Sequence, residues 1–266
     1  MPFFDSHCHF DFAEFDADRT QLWQRAVALG VKGLLVPGIE PVQWPVAQAL
    51  SRALPECYFA LGIHPWWISK IATDPLALQF YAYQMSLLLD DDKASNQPRC
   101  IAIGEAGLDK NIDTPMGQQL DLLDWHIDLA NQFHLPLIVH SVKTHNELIA
   151  HCKKNPPLYG GVVHAFNGSY ETAMQLIDVG FYLGVGGTIS YDRAQKTRAT
   201  VARVPLESVL LETDAPDMPL SGEQGGRNSP ENLPRIAQLL AELRNESLET
   251  ITASVWENTR RLFSLA

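Results

Sequence analysis

The sequence lacks the features that mark membrane and extracellular proteins. No apolar run approaches the roughly 20 residues of a membrane-spanning helix, and no charged-then-apolar leader precedes His7. The four cysteines are widely spaced and form no Cys-x-x-Cys pair, which favours reduced thiols over a disulfide framework. We therefore expect a cytoplasmic protein without membrane contacts, and the sequence indicates no obligate protein partner.

Positive charge is also scarce. The chain has 20 lysine and arginine residues against 31 aspartate and glutamate residues, which gives a formal net charge of -11. This balance argues against a protein that simply coats nucleic acid, because such proteins present a broad basic surface. It leaves open an enzyme whose bound metal ions supply positive charge at one place.

Eight apolar runs alternate with helical patterns, and we expect a single domain over residues 1–266. Continuous apolar strands separated by helices predict parallel pairing, and eight such repeats in about 250 residues predict an α/β fold, the (β/α)8 TIM barrel. A doubly wound open sheet is the alternative, but the glycine-rich loop expected after its first strand is absent. The predicted strands cover residues 3–10, 33–38, 58–65, 100–105, 135–141, 161–166, 181–186 and 208–214.

Ionisable side chains stand at the ends of six predicted strands. In a barrel the C-terminal strand ends meet at one mouth, where the active site lies. A single buried ionisable residue could be structural, but a whole set is hard to explain as core because unpaired buried charges are costly. The residues are His7, His9, His64, Glu105, His140, His164 and Asp214.

Imidazoles and carboxylates together form a ligand set that suits Zn, Mn or Co and, in part, Mg. On a strand His7 and His9 would point the same way, with Cα atoms about 6.6 Å apart, although an isolated pair is equally well explained as two solvated histidines. The set exceeds what one tetrahedral ion needs and fits two divalent ions that share a carboxylate. The predicted arrangement has His7, His9 and Asp214 on one ion, His140 and His164 on the other, and Glu105 bridging.

Six motifs in order carry a resemblance to a known family. They are Asp-Ser-His-Cys-His-Phe, Leu-Gly-Ile-His-Pro, Gly-Glu-Ala-Gly-Leu-Asp, Val-His-Ser, Val-His-Ala-Phe-Asn-Gly and Leu-Glu-Thr-Asp-Ala-Pro. Together, over residues 4–263, they resemble the TatD family of metal-dependent hydrolases, which are TIM barrels of the amidohydrolase superfamily. The run Glu212 to Pro219 is most similar to the bacterial YjjV branch.

The resemblance implies metal-dependent DNase activity, in the form of 3′-exonuclease trimming, with DNA ends or single-stranded DNA as substrate. It places His64 near the scissile phosphate and makes Asp214 the proton acceptor for the attacking water. Together with the bridging Glu105, these are the predicted catalytic residues. By motif matching, the metal ligands are His7, His9, Glu105, His140, His164 and Asp214.

One departure from the family keeps other functions open. Family members commonly carry Arg two residues after the strand-five histidine, where this chain has Val142 followed by Lys143. The alternatives are a small-molecule amidohydrolase, such as a lactonase or phosphotriesterase, and a non-catalytic metal-binding quality-control partner. The first usually bridges its metals with a carboxylated lysine on strand four, where this chain offers Glu105 and the nearest lysine, Lys110, lies past the strand end.

Several other residues admit two interpretations. Trp66 and Trp67 could stack a nucleobase or simply pack a loop. Arg227 is a candidate phosphate contact. Glu212, two residues before Asp214, is expected to support the ligands or to be a polar core residue instead of binding metal, and His126 is expected to lie on the surface or to pack its helix.

Overall fold

The computed structural model describes residues 1–71 and 74–265. Within them the strands are β1 (Phe3–Asp5), β2 (Val31–Val36), β3 (Cys57–Leu61), β4 (Cys100–Asp109), β5 (Leu137–Val142), β6 (Gly161–Val163), β7 (Phe181–Val185) and β8 (Val209–Leu211). The α-helices are α1 (Arg19–Ala28), α2 (Trp44–Ala53), α3 (Pro75–Lys93), α4 (Met116–Phe133), α5 (His145–Cys152), α6 (Tyr170–Asp178), α7 (Gln195–Val201), α8 (Leu233–Arg244) and α9 (Leu248–Phe263).

Strands and helices alternate along the chain, and the strand order in the sheet is the chain order, β1 to β8. The registered pairs β1–β2, β3–β4, β4–β5 and β7–β8 are all parallel. A doubly wound sheet would show a reversal of strand order. The predicted fold class, an α/β fold of the (β/α)8 TIM-barrel type, is therefore confirmed.

Local sequence signals set several helix starts. The Asp74 carboxylate accepts hydrogen bonds from the N–H groups of Leu76 and Ala77, and Pro75 occupies the first position of α3. Ser247 caps α9 in the same way, accepting from the Thr250 N–H. Across the described ranges, none of the helices is both long and apolar enough to span a membrane.

The chain divides into two compact units, residues 1–36 with 162–266 and residues 37–161. We call them the outer-chain unit and the middle-chain unit. The single domain expected from the sequence stays a prediction.

In the outer-chain unit, hydrogen bonds join the end of β1 to the end of β8. The Ser6 N–H donates to the Leu211 carbonyl at 3.0 Å, and the Asp214 N–H donates to the His7 carbonyl at 2.9 Å. These bonds bring the chain that leaves β1 alongside the chain that leaves β8. As a result, His7 and Asp214 are adjacent although 207 positions separate them in sequence.

In the middle-chain unit, β4 is buried along its whole length and pairs with β3 and β5. Gly107 permits a close approach to β5: a Cβ at that position would lie 2.0 Å from the His140 carbonyl oxygen. The backbone there has φ +148°, which L side chains rarely adopt. This contact sets the spacing of the two strands that carry Glu105 and His140.

Six of the eight strands end earlier than predicted, whereas β4 and β5 extend beyond their predicted ends. β1 ends at Asp5, so the expectation that His7 and His9 share one strand face is wrong. Beyond the ladder, the Cys8 N–H donates to the Leu35 carbonyl and the His9 N–H to the Ala215 carbonyl. These loop hydrogen bonds satisfy the backbone without strand pairing. The directions of the His7 and His9 rings are therefore not set by strand alternation.

His64, His164 and Asp214 also follow their strands instead of ending them. Of the predicted site residues, only Glu105 and His140 lie within strands. The apolar runs correctly located the strands, but apolar character continues into the following loop and so does not mark where pairing stops.

Candidate metal centre

The outer-chain unit gathers three predicted ligands. Donor atoms of His7, His164 and Asp214 all lie within 4.8 Å of one another. The His7 and His164 rings stack with centroids 4.0 Å apart, and His7 Nε2 lies 3.5 Å from Asp214 Oδ1. His9 reaches the same oxygen, with its Nε2 at 3.6 Å. We call these four residues the His7 group.

A buried carboxyl fixes the backbone of the His7 group. Asp5 accepts from the Thr213 hydroxyl at 2.6 Å and from the Thr213 N–H at 2.9 Å, one residue before Asp214. It also accepts from the His7 N–H at 3.4 Å. Burial raises the pKa of Asp5 to about 7, and the hydrogen bonds from Thr213 oppose that rise.

Glu212 supports the loop that carries His164. It is fully buried, and its Oε1 accepts from the Ala165 N–H, next to His164. Burial raises the pKa of Glu212 to about 8, with the charge of His164 opposing the rise. Its carboxyl also lies against Gly184, where a Cβ would be 2.2 Å from Oε2. The supporting role expected from the sequence agrees with these contacts.

The middle-chain unit gathers a second set, His64, Glu105 and His140, again with donor atoms within 4.8 Å of one another. Glu105 Oε1 lies 3.2 Å from His64 Nε2 and 3.1 Å from His140 Nδ1. All three side chains are buried. We call these three residues the Glu105 group.

The backbone selects the tautomer of His64. Its Nδ1 accepts from the Trp66 N–H at 3.1 Å, so in the neutral ring the proton is on Nε2. That N–H faces Glu105 Oε1. His64 is thus arranged as a hydrogen-bond donor, which suits a residue that contacts an anionic oxygen better than one that binds a metal ion.

Asp109 is a site residue that the sequence analysis missed. It is buried at the end of β4, and its Oδ2 lies 3.2 Å from His140 Nε2. Although burial opposes the shift, the hydrogen bonds from His140 and Trp66 lower the pKa of Asp109 to about 2. A usable signal existed, because Asp109 stands four positions after Glu105 and alternation along a strand puts both on one face.

Trp66 is held by the same carboxylate. Its indole N–H donates to Asp109 Oδ2 at 2.8 Å, and its ring lies edge-on to His64 with centroids 5.1 Å apart. The residue remains 52% exposed. The side of Trp66 that contacts Asp109 and His64 packs the loop. Stacking of a nucleobase on its exposed side stays a prediction.

Arg227 and Lys143 both have partners within the chain. Arg227 forms a bidentate ion pair with Asp18, at 2.8 and 2.7 Å, and its role as a phosphate contact stays a prediction. Lys143, the cation next to Val142, donates from Nζ to Asn111 Oδ1 at 2.9 Å.

The residues present fit divalent metal ions. Each group combines imidazole nitrogens with a carboxylate, the donor set of Zn and Mn sites. The predicted sharing of one ion by His140 and His164, and the bridging role of Glu105, involve both units and stay predictions.

Comparison with known proteins also indicates a metal-dependent protein. The family model of TatD-related DNases matches residues 4–264. An uncharacterized metal-dependent hydrolase of Escherichia coli strain K12, YjjV, is 40% identical over 99% of this chain and 98% of its own. A 3′-5′ ssDNA/RNA exonuclease TatD of Escherichia fergusonii is 30% identical over 99% of each chain. The crystal structure of the E. coli K12 YjjV, a TatD homolog, matches with a TM-score of 0.91 and 41% identity, covering 99% of this chain and 98% of that one.

Proposed function

Because this chain belongs to the family of TatD-related DNases and is a metal-dependent hydrolase, we propose that it hydrolyses phosphodiester bonds at the 3′ ends of single-stranded DNA. The observation that carries the proposal is the pair of buried His–carboxylate groups, one in each unit. A relative named as a 3′-5′ ssDNA/RNA exonuclease supports the choice of substrate. The expected cytoplasmic location stays a prediction.

We propose that the two groups hold two divalent ions, Zn, Mn or Mg. Bound ions of this kind polarise a phosphoryl oxygen and lower the pKa of a water molecule. His7, His9, His164 and Asp214 are the ligands that the outer-chain unit contributes, and Glu105 and His140 are those of the middle-chain unit. Donor atoms of His7, His164 and Asp214 lie within 4.8 Å of one another, and so do those of Glu105 and His140.

Three side chains have proposed roles in the reaction. Asp214 accepts the proton of the attacking water. Its side chain is 13% exposed, so a water molecule can reach the carboxylate. Glu105 would serve as a metal ligand, and its bridging role stays the prediction made from the sequence. His64 donates from Nε2 to a non-bridging oxygen of the scissile phosphate, which its Nδ1 contact to the Trp66 N–H favours.

A second candidate function is hydrolysis of small neutral or phosphorylated molecules, such as lactones or phosphotriesters. It is favoured by Val142, which stands where the resemblance leads us to expect an arginine that clamps phosphate. Lys143 is not equivalent, because an ammonium group cannot make the bidentate contact of a guanidinium.

A substrate panel separates the two functions. The metal-loaded protein is given a single-stranded oligonucleotide, a generic aryl phosphodiester and a lactone, and kcat/KM is measured for each. We expect the oligonucleotide to be the best substrate, because contacts along the strand add to those at the scissile bond. Turnover of the lactone with no shortening of the oligonucleotide would contradict the nuclease proposal and support the small-molecule function.

A further inference from the structure

A cationic cavity of ≈ 460 Å³ lies in the outer-chain unit, outside the His7 group. Its walls come from the segments that follow β6, β7 and β8, and the last of these is the loop that contains Asp214. We call it the Arg193 cavity. The lining residues that matter here are Asn167, Tyr191, Arg193, Lys196, Met218 and Pro219.

The cavity has a fixed wall. The Tyr191 hydroxyl donates to the Pro219 carbonyl at 2.6 Å, which ties the segment after β7 to the loop after β8. The Arg193 guanidinium lies over the Tyr191 ring, 4.7 Å from its centroid. Stacking on a held ring orders the guanidinium while leaving its N–H edge available.

The two cations of the cavity have no close acidic partner among the described residues, and Lys196 interacts at longer range with the Glu171 carboxylate. Arg193 and Lys196 are exposed, and neither forms an ion pair with any residue in the described parts of the chain. The acidic neighbour of Arg193 in sequence, Asp192, lies 3.9 Å from Arg198. In a chain of net charge -11, two unpaired cations at one cavity create a local preference for an anion.

We propose that the Arg193 cavity binds a backbone phosphate of the single-stranded substrate, at a nucleotide other than the one being cleaved. The inference rests on the proposed function and extends it with a residue-level contact for the strand. A guanidinium and an ammonium group that line one cavity can both bind a phosphate, and the Tyr191, Met218 and Pro219 surfaces suit the attached sugar and base. The chain would then hold the strand through this cavity, in place of the contact that an arginine at position 142 would make.

The test uses a fluorescent single-stranded phosphorothioate oligonucleotide of about 12 nucleotides, which resists hydrolysis, with metal-loaded full-length protein. Binding is followed by fluorescence anisotropy over a range of salt concentrations. The variant is Arg193→Gln/Lys196→Gln. Its charge-matched control is Lys153→Gln/Lys154→Gln, which removes two exposed lysines that do not line the cavity.

We expect the cavity variant to raise Kd by about tenfold and to flatten the slope of log Kd against log salt by about 0.7, the value for one phosphate contact on a single strand. The control should match the wild type. Equal Kd values for both variants would overturn the inference while leaving the function intact, provided that the wild type shortens the unmodified oligonucleotide. A wild type that neither binds nor shortens it would overturn the proposed function as well.

Discussion

The His140 ring lies between two carboxylates. Glu105 Oε1 is 3.1 Å from its Nδ1, and Asp109 Oδ2 is 3.2 Å from its Nε2. When one ring nitrogen binds a metal ion, a carboxylate on the other nitrogen fixes the ring orientation and raises its basicity. We therefore propose Asp109 as a positioning residue for His140, with Glu105 as the carboxylate that would bind the metal ion.

Glu105→Ala tests the bridging role. Without a shared carboxylate, both ions should lose affinity, so we expect hydrolysis to be abolished and bound metal to fall for both sites. Metal content per chain is measured by atomic emission, and circular dichroism checks that the fold persists. Glu242→Ala, an exposed position on α8, is the control. Full activity in the Glu105 variant would contradict the assignment.

Asp109→Asn tests the positioning role. The amide keeps an oxygen that can accept the Trp66 N–H but removes the charge that faces His140. We expect metal affinity to fall by about 10- to 100-fold, measured by calorimetric titration of metal-stripped protein. Asp113→Asn, an exposed aspartate four positions on, should leave affinity unchanged. Wild-type affinity in both variants would remove Asp109 from the site.

At the scale of elements, the sequence predicts where the strands lie better than how they end. Apolar runs located all eight strands because burial on both faces leaves that pattern. The positions of His7, His9 and Asp214 beyond their strands depend on loop hydrogen bonds between distant segments, which no local pattern encodes. The unpaired state of Arg193 is likewise invisible in sequence, since it depends on where Asp192 points.

Gly107→Ala should disturb the spacing of β4 and β5. The new Cβ would lie 2.0 Å from the His140 carbonyl oxygen, a backbone atom that cannot swing aside. We expect the free energy of unfolding to fall by about 2–3 kcal/mol. In Gly117→Ala, on α4 with open space around the site, it should rise by about 0.5–1 kcal/mol. Urea denaturation of both variants checks this, and an unchanged Gly107 variant would contradict the packing argument.

A buried histidine joins α4 to the segment after β3 and makes stability depend on pH. His126 Nε2 accepts from the Ile63 N–H at 2.9 Å, and burial lowers its pKa to about 4 from 6.5. As pH falls, the unfolded chain binds a proton at His126 before the folded chain does. The contribution of His126 to the free energy of unfolding is therefore complete above pH 6.5. It is lost as pH falls towards 4, by roughly 3 kcal/mol.

Urea denaturation of metal-stripped protein at pH 7 and pH 5 measures the part of this loss that falls between the two pH values, about 2 kcal/mol. His126→Gln, whose amide oxygen can still accept the Ile63 N–H, should show a smaller drop between the two pH values than the wild type. His134→Asn, at an exposed residue with φ +60°, should behave as the wild type does. An equal drop in all three proteins would show that His126 stays protonated or is not buried.

For the whole molecule, charge and metal binding act together. Carboxylates and imidazoles crowd two buried places in a chain of net charge -11, and cations bound there would offset the repulsion. Metal ions that bind the folded chain but not the unfolded one stabilise it by mass action.

Metal removal should therefore lower Tm. At a metal concentration about 100-fold above Kd, each ion contributes about 2.7 kcal/mol, so chelation should give a clear downward shift that added Mn or Zn reverses. The same treatment of Glu105→Ala should give a smaller shift. Identical Tm values for stripped and loaded wild type would contradict a folded-state metal centre.

The most direct test of the central claim is the cleavage of a single-stranded oligonucleotide labelled at its 5′ end. Metal-stripped protein is compared with protein given back Mg, Mn or Zn. The account predicts no cleavage without metal and, with it, a ladder that shortens from the 3′ end one nucleotide at a time. An intact oligonucleotide under every metal, with the protein shown to be folded and loaded, would contradict the proposed nuclease.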